Sequence, residues 1–237
     1  IVTFTDGAKA GERFRLEDWQ KAVVANLYGW WCGKERRYKE AFVFVPRKNG
    51  KTPLAAGLLL LEMCRFPTPG GQYFSAAADR EQAALIFRDA VQMIRNEPEL
   101  SVRFKITPSL KTIERNDGEW AMYKALSSDA GTKHGLRPCF VVVDELHAHP
   151  NSELVDTMTT GTAVKGLQPL VIYITTADYQ RESVCNTKYA YACRVRDGEI
   201  DDARYLPVIY EASREDDWTS EDVWRKANPN YGVSVNE

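Results

Sequence analysis

An apolar run that passes directly into Gly-Lys-Thr constrains this chain more than any other feature. Ala41 to Val45 reads as a buried strand, Pro46-Arg47-Lys48-Asn49-Gly50-Lys51-Thr52 follows, and Thr52 to Cys64 is a Leu- and Ala-rich helical stretch. Pro53 suits the first turn of that helix, where its missing N–H costs nothing. Strand, tight turn and helix N-terminus in this order let backbone N–H groups converge on phosphate oxygens, and the helix dipole favours negative charge there. Gly50 permits close backbone approach, Lys51 reaches β and γ phosphates, and the Thr52 hydroxyl can ligate Mg²⁺. The pattern departs from G-x-x-x-x-G-K-[ST] in one respect, since Val45 holds the first glycine position.

Such a loop needs an acidic partner. Val141-Val142-Val143 followed by Asp144-Glu145 places two carboxylates where a buried strand emerges. Asp144 suits the Mg²⁺ shell, and Glu145 suits orienting and deprotonating an attacking water. Together the two segments point to a nucleoside triphosphatase that works with Mg²⁺. A third strand, Leu170 to Thr175, ends in Thr175-Thr176-Ala177, whose hydroxyls either sense the γ-phosphate or simply close a β-branched strand. Arg47 lies within γ-phosphate reach, while Lys133, His134 and Arg137 precede the acidic strand and are candidates for a cation acting on a neighbouring subunit. Trp19-Gln20 either flanks an adenine or places Trp19 in the core. His147 and His149 read as loop residues or, more weakly, as metal ligands.

The rest of the chain fits one α/β domain over 1–237, with a mainly parallel sheet flanked by helices on both faces. Helical spacing sets Trp19, Val23, Leu27 and Trp30 on one face of Asp18–Trp31, and Ala83, Phe87, Ala90 and Ile94 on one face of a helix opened by Asp79 and Gln82. Tyr73–Ala77 and Tyr205–Tyr210 read as strands, and Ser152–Thr160, Ser183–Val195 and Thr219–Ala227 as helices. Phe104–Thr107, Thr112–Arg115 and Glu119–Tyr123 form a small β insertion around 103–124, and Asn228-Pro229-Asn230-Tyr231-Gly232 reads as a domain edge or linker.

Composition narrows the partners. A formal charge of −2 supplies no global basic field, so any DNA contact is local, with Lys34, Arg36, Arg37, Lys39 and Lys165 as candidates. The five cysteines are scattered and never spaced C-x-x-C, which argues against a zinc site or disulfide framework. The Leu54–Cys64 run contains Glu62 and is too short to cross a bilayer, so no membrane partner is expected. The chain opens without Met, which suggests a piece of a longer protein.

With these motifs in hand, the chain resembles the N-terminal ATPase half of the tailed-bacteriophage large terminases. The resemblance rests on Pro46 to Thr52, Ser75 to Ala83, Ala125 to Gly131, Val143 to Ala148, Thr175 to Ala177 and Ala227 to Gly232, in family order and spanning nearly the whole chain. It implies a P-loop NTPase of the ASCE/RecA-like type that translocates double-stranded DNA into a procapsid. The portal protein and small terminase subunit are the implied partners. It implies a homo-oligomeric ring when packaging, a monomer in isolation, and location in the host cytoplasm, docked on the procapsid. Lys51 and Arg47 then belong to the phosphate loop, Asp144 and Glu145 to the Walker B pair, Trp19-Gln20 to the adenine contact, Thr175–Ala177 to the coupling motif, and Arg137 to the trans-acting cation. Asp178 stands where the family often has glycine. A C-terminal RNase H-like nuclease is usual in the family. Few residues follow Asn230, so ATP hydrolysis without DNA cleavage is expected. Two alternatives stand beside this reading: a DExH-type helicase-like ATPase, fitting Asp144-Glu145-Leu146-His147, and a non-catalytic nucleotide-binding assembly module.

Overall fold

The apolar runs become the centre of one sheet. The computed structural model describes residues 2–4, 11–66, 68–118, 120–128, 136–162, 168–178 and 182–235. In chain order the elements are α1 Asp18–Gly29, β1 Trp31–Cys32, β2 Glu35–Arg36, β3 Glu40–Phe44, α2 Lys51–Arg65, β4 Gly71–Ala77, α3 Arg80–Asn96, α4 Pro98–Ser101, β5 Phe104–Thr107 and β6 Thr112–Arg115. There follow β7 Ala121–Ser127, β8 Pro138–Asp144, α5 Glu153–Thr160, β9 Leu170–Thr175, α6 Val184–Arg196, β10 Tyr205–Ile209 and α7 Glu221–Ala227. Among the described residues the main sheet has eight strands in the order β10-β3-β9-β8-β4-β7-β6-β5. From β10 to β7 every neighbour is parallel, and β6 and β5 add an antiparallel edge.

Parallel strands need both faces covered, which explains why β8 and β9 are buried along their whole lengths. One face carries α1, α2 and α3, whose Leu27, Leu58, Leu59, Met63, Ile86 and Met93 share a core with Val43, Tyr73, Val142 and Ile172. The other carries α5 and α6, where Val155, Met158, Cys185 and Ala192 pack against Phe42, Val141, Val143 and Tyr173.

Strand order fixes the site. β9 lies between β3 and β8, the inserted-strand arrangement of the ASCE type, and all three run the same way. Phe44 is level with Thr175, and Asp144 is level with Ile174. Strands about 4.8 Å apart then put the end of β3 and the end of β8 roughly 10 Å from each other at one edge of the sheet. Ligands of open α/β sheets bind beyond this carboxyl edge.

Several boundaries moved, each for a local reason. α1 stops at Gly29, and Trp30 sits outside it, 54% exposed. The basic turn at 34–39 contains part of a small antiparallel hairpin, β1–β2. The third β segment runs longer than expected and is no insertion: β7 pairs parallel with β4 inside the main sheet, leaving only β5 and β6 as the antiparallel extension. Asp79 does open α3, its Oδ1 accepting from the Glu81 and Gln82 backbone N–H groups at 2.8 and 2.9 Å.

Candidate nucleotide site

The loop after β3 takes its shape from two left-handed residues, Lys48 (φ 66°) and Gly50 (φ 78°), after which α2 begins at Lys51. A Cβ on Gly50 would lie 3.1 Å from Gln20 Nε2, so the glycine answers both to its φ and to a close neighbour. Val45, at the position where a glycine is usual, simply continues the strand. It is fully buried, and its N–H donates to Thr175 O at 3.1 Å. Lys51 is 7% exposed and folds back, its Nζ donating to Val45 O at 2.9 Å and Pro46 O at 3.1 Å. Burial of the ammonium lowers its pKa, and the charges of Glu145 and Asp144 oppose that.

Asp144 closes β8 and is 3% exposed. Its Oδ1 accepts from the Glu145 N–H at 3.1 Å. Burial first, then the charge of Glu145, push its carboxyl up to about 7, against the Glu145 hydrogen bond and the Lys51 charge. Glu145 itself occupies left-handed space (φ 46°, ψ 54°), a conformation that costs energy for a residue with a side chain. Its Oε2 sits 3.1 Å from His147 Nδ1, off line for a hydrogen bond. His147 is tied instead to Thr175, whose Oγ1 accepts from the His147 backbone N–H at 3.2 Å and lies 3.3 Å from Nδ1. His149 donates from Nε2 to Asp144 O (3.2 Å), because a carbonyl can only accept, and burial lowers its pKa against the opposing effect of that hydrogen bond. Both histidines are thus brackets for the acidic turn.

A cleft of about 850 Å³ brings the two motifs together: Arg47, Lys48, Gly50, Lys51 and Thr52 line one wall and Glu145 another. Sequence reasoning missed the third wall, where Arg88, Asp89 and Gln92 of α3 enter. They lie off the apolar stripe of that helix, where polar residues ordinarily read as solvated surface. Thr52 and the buried Asp144 carboxylate offer hard oxygen donors, and a carboxylate whose charge is penalised by burial suits a divalent cation. Beside the loop, a second pocket of about 360 Å³ is lined by Phe4, Phe14, Gln20, Pro53 and Val233 among others. Phe4 and Phe14 meet edge to face with centroids 4.9 Å apart. Gln20 Nε2 donates to Gly50 O at 3.1 Å and its Oε1 accepts from the Glu17 N–H at 3.0 Å.

Other expected residues lie elsewhere. Trp19 is a core residue, 4% exposed, edge-on to Tyr210, with its indole donating to Asn230 Oδ1 at 2.9 Å. Thr175 is fully buried and turns its hydroxyl toward His147 and Thr176 O rather than into the cleft. Thr176 is half-buried beside it. Arg137 sits exposed just before β8, at the end opposite Asp144 and so roughly 20 Å away along the strand. It is therefore no part of this cleft in its own chain. Arg36 is not available to DNA: it is 3% exposed and forks onto Glu62 at 2.7 and 2.9 Å, because a carboxylate inside a Leu-rich helix needs a partner. Lys34 is exposed, Lys39 pairs with Glu35 at 3.5 Å, and Arg37 lies over Trp30 and Tyr38. Lys133, His134, Lys165 and the Asp129–Gly131 part of one motif lie outside the described residues. The segment read as a linker packs on the loop after β3, with Asn228 and Asn230 bonded to Asn49.

Known proteins share this fold. The family model for the terminase large subunit, ATPase domain, matches residues 18–194. The large terminase subunit of Enterobacteria phage HK97 is 31% identical over 235 residues, covering 98% of this chain and 44% of the relative. The crystal structure of the HK97 large terminase superposes with a TM-score of 0.82 at 29% identity, covering 95% of this chain and 45% of that one. The large terminase of the thermophilic bacteriophage D6E, in complex with ADP, is alike in fold only, with a TM-score of 0.50 at 11% identity over 68% of this chain and 39% of that one. The chain therefore spans under half the length of these relatives, and it belongs to the family of terminase large-subunit ATPase domains.

Proposed function

We propose that this chain is the ATP-hydrolysing motor of a DNA-packaging terminase, driving double-stranded DNA into a procapsid. The observation that carries the reading is the meeting of Lys51 and Glu145 across one cleft. ATP seats its phosphates on the loop and the N-terminus of α2, and its base enters the pocket beside Phe14, Gln20 and Pro53. The ADP complex of the D6E protein, on the same fold, supports nucleotide in this role. Lys51 exchanges the Val45 and Pro46 carbonyls for phosphate oxygens, and Arg47 at the cleft wall adds a second cation. Thr52 and Asp144 would hold Mg²⁺, which when bound neutralises phosphate charge. Glu145 orients the attacking water and takes its proton.

Arg137 stands far from its own cleft, so its role is to reach a neighbouring copy in a ring. Hydrolysis by isolated monomers is then slow. The portal protein, the small terminase subunit and duplex DNA complete the machine, which works in the host cytoplasm. No helix among the described residues is long and apolar enough to cross a membrane.

The test compares wild type, Lys51→Ala and Glu145→Ala for ATP binding and for turnover at high protein concentration with duplex DNA. Glu145→Ala keeps binding and loses about 10²–10⁴-fold in turnover, the usual range for a general base, whereas Lys51→Ala loses affinity. Wild type that binds ATP yet never turns it over would leave a nucleotide-binding assembly module.

A further inference from the structure

We infer that residues 228–235 are a working wall of the nucleotide site, and that Asn230 is a positioning residue for the phosphate loop; this rests on the ATP-binding reading above. Every carbonyl from Val45 to Gly50 accepts a side-chain hydrogen bond. Val45 O and Pro46 O take Lys51 Nζ, and Asn49 Nδ2 reaches Pro46 O and Arg47 O at 3.1 and 3.2 Å. Lys48 O takes Ser234 Oγ at 2.7 Å, Asn49 O takes Asn230 Nδ2 at 3.2 Å, and Gly50 O takes Gln20 Nε2. In a trans peptide the C=O and the following N–H point in opposite directions. Pro46 has no N–H, so the Val45 carbonyl adds nothing here; pinning the carbonyls from Pro46 to Gly50 fixes the direction of the N–H groups from Arg47 to Lys51, and a concave set of such donors at the cleft suits an anion.

The tail supplies the donors that local sequence cannot. Asn230 is 4% exposed and fully engaged: its N–H donates to Asn49 Oδ1 at 3.0 Å, its Nδ2 also reaches Ser234 Oγ at 3.3 Å, and its Oδ1 accepts the Trp19 indole. Asn49, fully buried, returns the contact through Nδ2 to Asn228 Oδ1 at 3.2 Å. Val233 and Ser234 then line the pocket beside the loop. Loss of the Asn230 and Ser234 donors frees the Lys48 and Asn49 carbonyls to turn their negative ends toward phosphate. By reciprocity, bound triphosphate holds the tail in place.

The experiment measures Mg-ATP and adenosine affinity of the chain as wild type, Asn230→Asp and Ser234→Ala, together with unfolding temperature without nucleotide and amide exchange across 228–235 with and without ATP. Asn230→Asp keeps size and the Trp19 acceptor but sets an oxygen against Asn49 O. It lowers ATP affinity at least tenfold while adenosine affinity stays within twofold, and Ser234→Ala lowers ATP affinity about threefold. ATP slows exchange in 228–235 of wild type. Equal loss for adenosine and ATP, or ATP affinity unchanged in a folded Asn230→Asp, overturns the inference and leaves the ATPase reading intact. Should Asn230→Asp fail to fold, unchanged ATP affinity in Ser234→Ala, a change at an exposed residue, overturns it alone. A wild type that binds no ATP overturns the ATPase reading, and this inference with it.

Discussion

Replacing Asp144 with Asn should stabilise the protein free of nucleotide and metal, by an amount that grows with pH. The Asp144 carboxyl titrates at about 7 in the fold against 3.8 for an ordinary aspartate, chiefly because it is buried. Between those values the folded protein binds more protons than the unfolded chain, so stability is highest below the interval and falls as pH rises through it. The gap, at 1.36 kcal/mol per pH unit, corresponds to on the order of 4 kcal/mol of destabilisation when the carboxylate is fully charged. Asn has the same shape and no charge, so this cost vanishes at every pH. One opposing effect reduces the gain: the carboxylate also favours the desolvated Lys51 ammonium, which loses that support in the variant. Urea denaturation of both proteins with a chelator, from about pH 4 to about pH 8, reads the difference directly. The two should coincide near the acid end and separate by a few kcal/mol at the alkaline end, with the variant more stable. Mg-ATP turnover should be lost in the same variant. A difference constant with pH, or a variant less stable at the alkaline end, would refute the account of a carboxylate held at a cost for a cation.

Two further outcomes follow from the same physics. Glu62→Ala strands Arg36 among Tyr28, Trp31 and Phe66 without its carboxylate, and urea denaturation should show a loss of about 3–5 kcal/mol. ATP affinity of the folded variant should be unchanged, because Glu62 lies three turns along α2 from Lys51, roughly 16 Å away. Gly50→Ala forces a side chain into φ 78°, costing about 1–2 kcal/mol, and pushes against Gln20 Nε2. Calorimetric titration should then show ATP affinity reduced more than tenfold, and an unaltered affinity would mean the loop tolerates a different shape.

The readable parts of the molecule were those whose cause is local. Strands buried on both faces leave continuous apolar runs, so β3, β8 and β9 and their shared carboxyl edge were legible, as were Lys51 and Glu145 at their tips. Arg36 was misread because its cause is distant. A basic turn looks solvated, and the informative residue was Glu62, an acid in an otherwise apolar stretch that had to find a cation. Arg88 and Gln92 sit on the polar side of an amphipathic helix, and sequence spacing cannot tell a face turned to solvent from one turned to a cleft. Asn230 meets Asn49 across 181 residues, and under local rules Asn-Pro-Asn is only a turn.

Val45 shows how these readings connect. A phosphate loop with a glycine at that point draws on a flexible backbone; here the residue is a buried strand end bonded to Thr175, and it cannot turn. Left-handed backbone appears instead at Lys48, a residue with a Cβ, and strain of that kind persists only where surroundings hold it. The surroundings are specific: Lys48 O is held by Ser234, Asn49 by Asn228 and Asn230, and Gly50 O by Gln20. Chain permissiveness has been replaced by side-chain donors from two distant segments. The shape of the loop is therefore a tertiary property, and the missing glycine weakens only the motif as local sequence presents it.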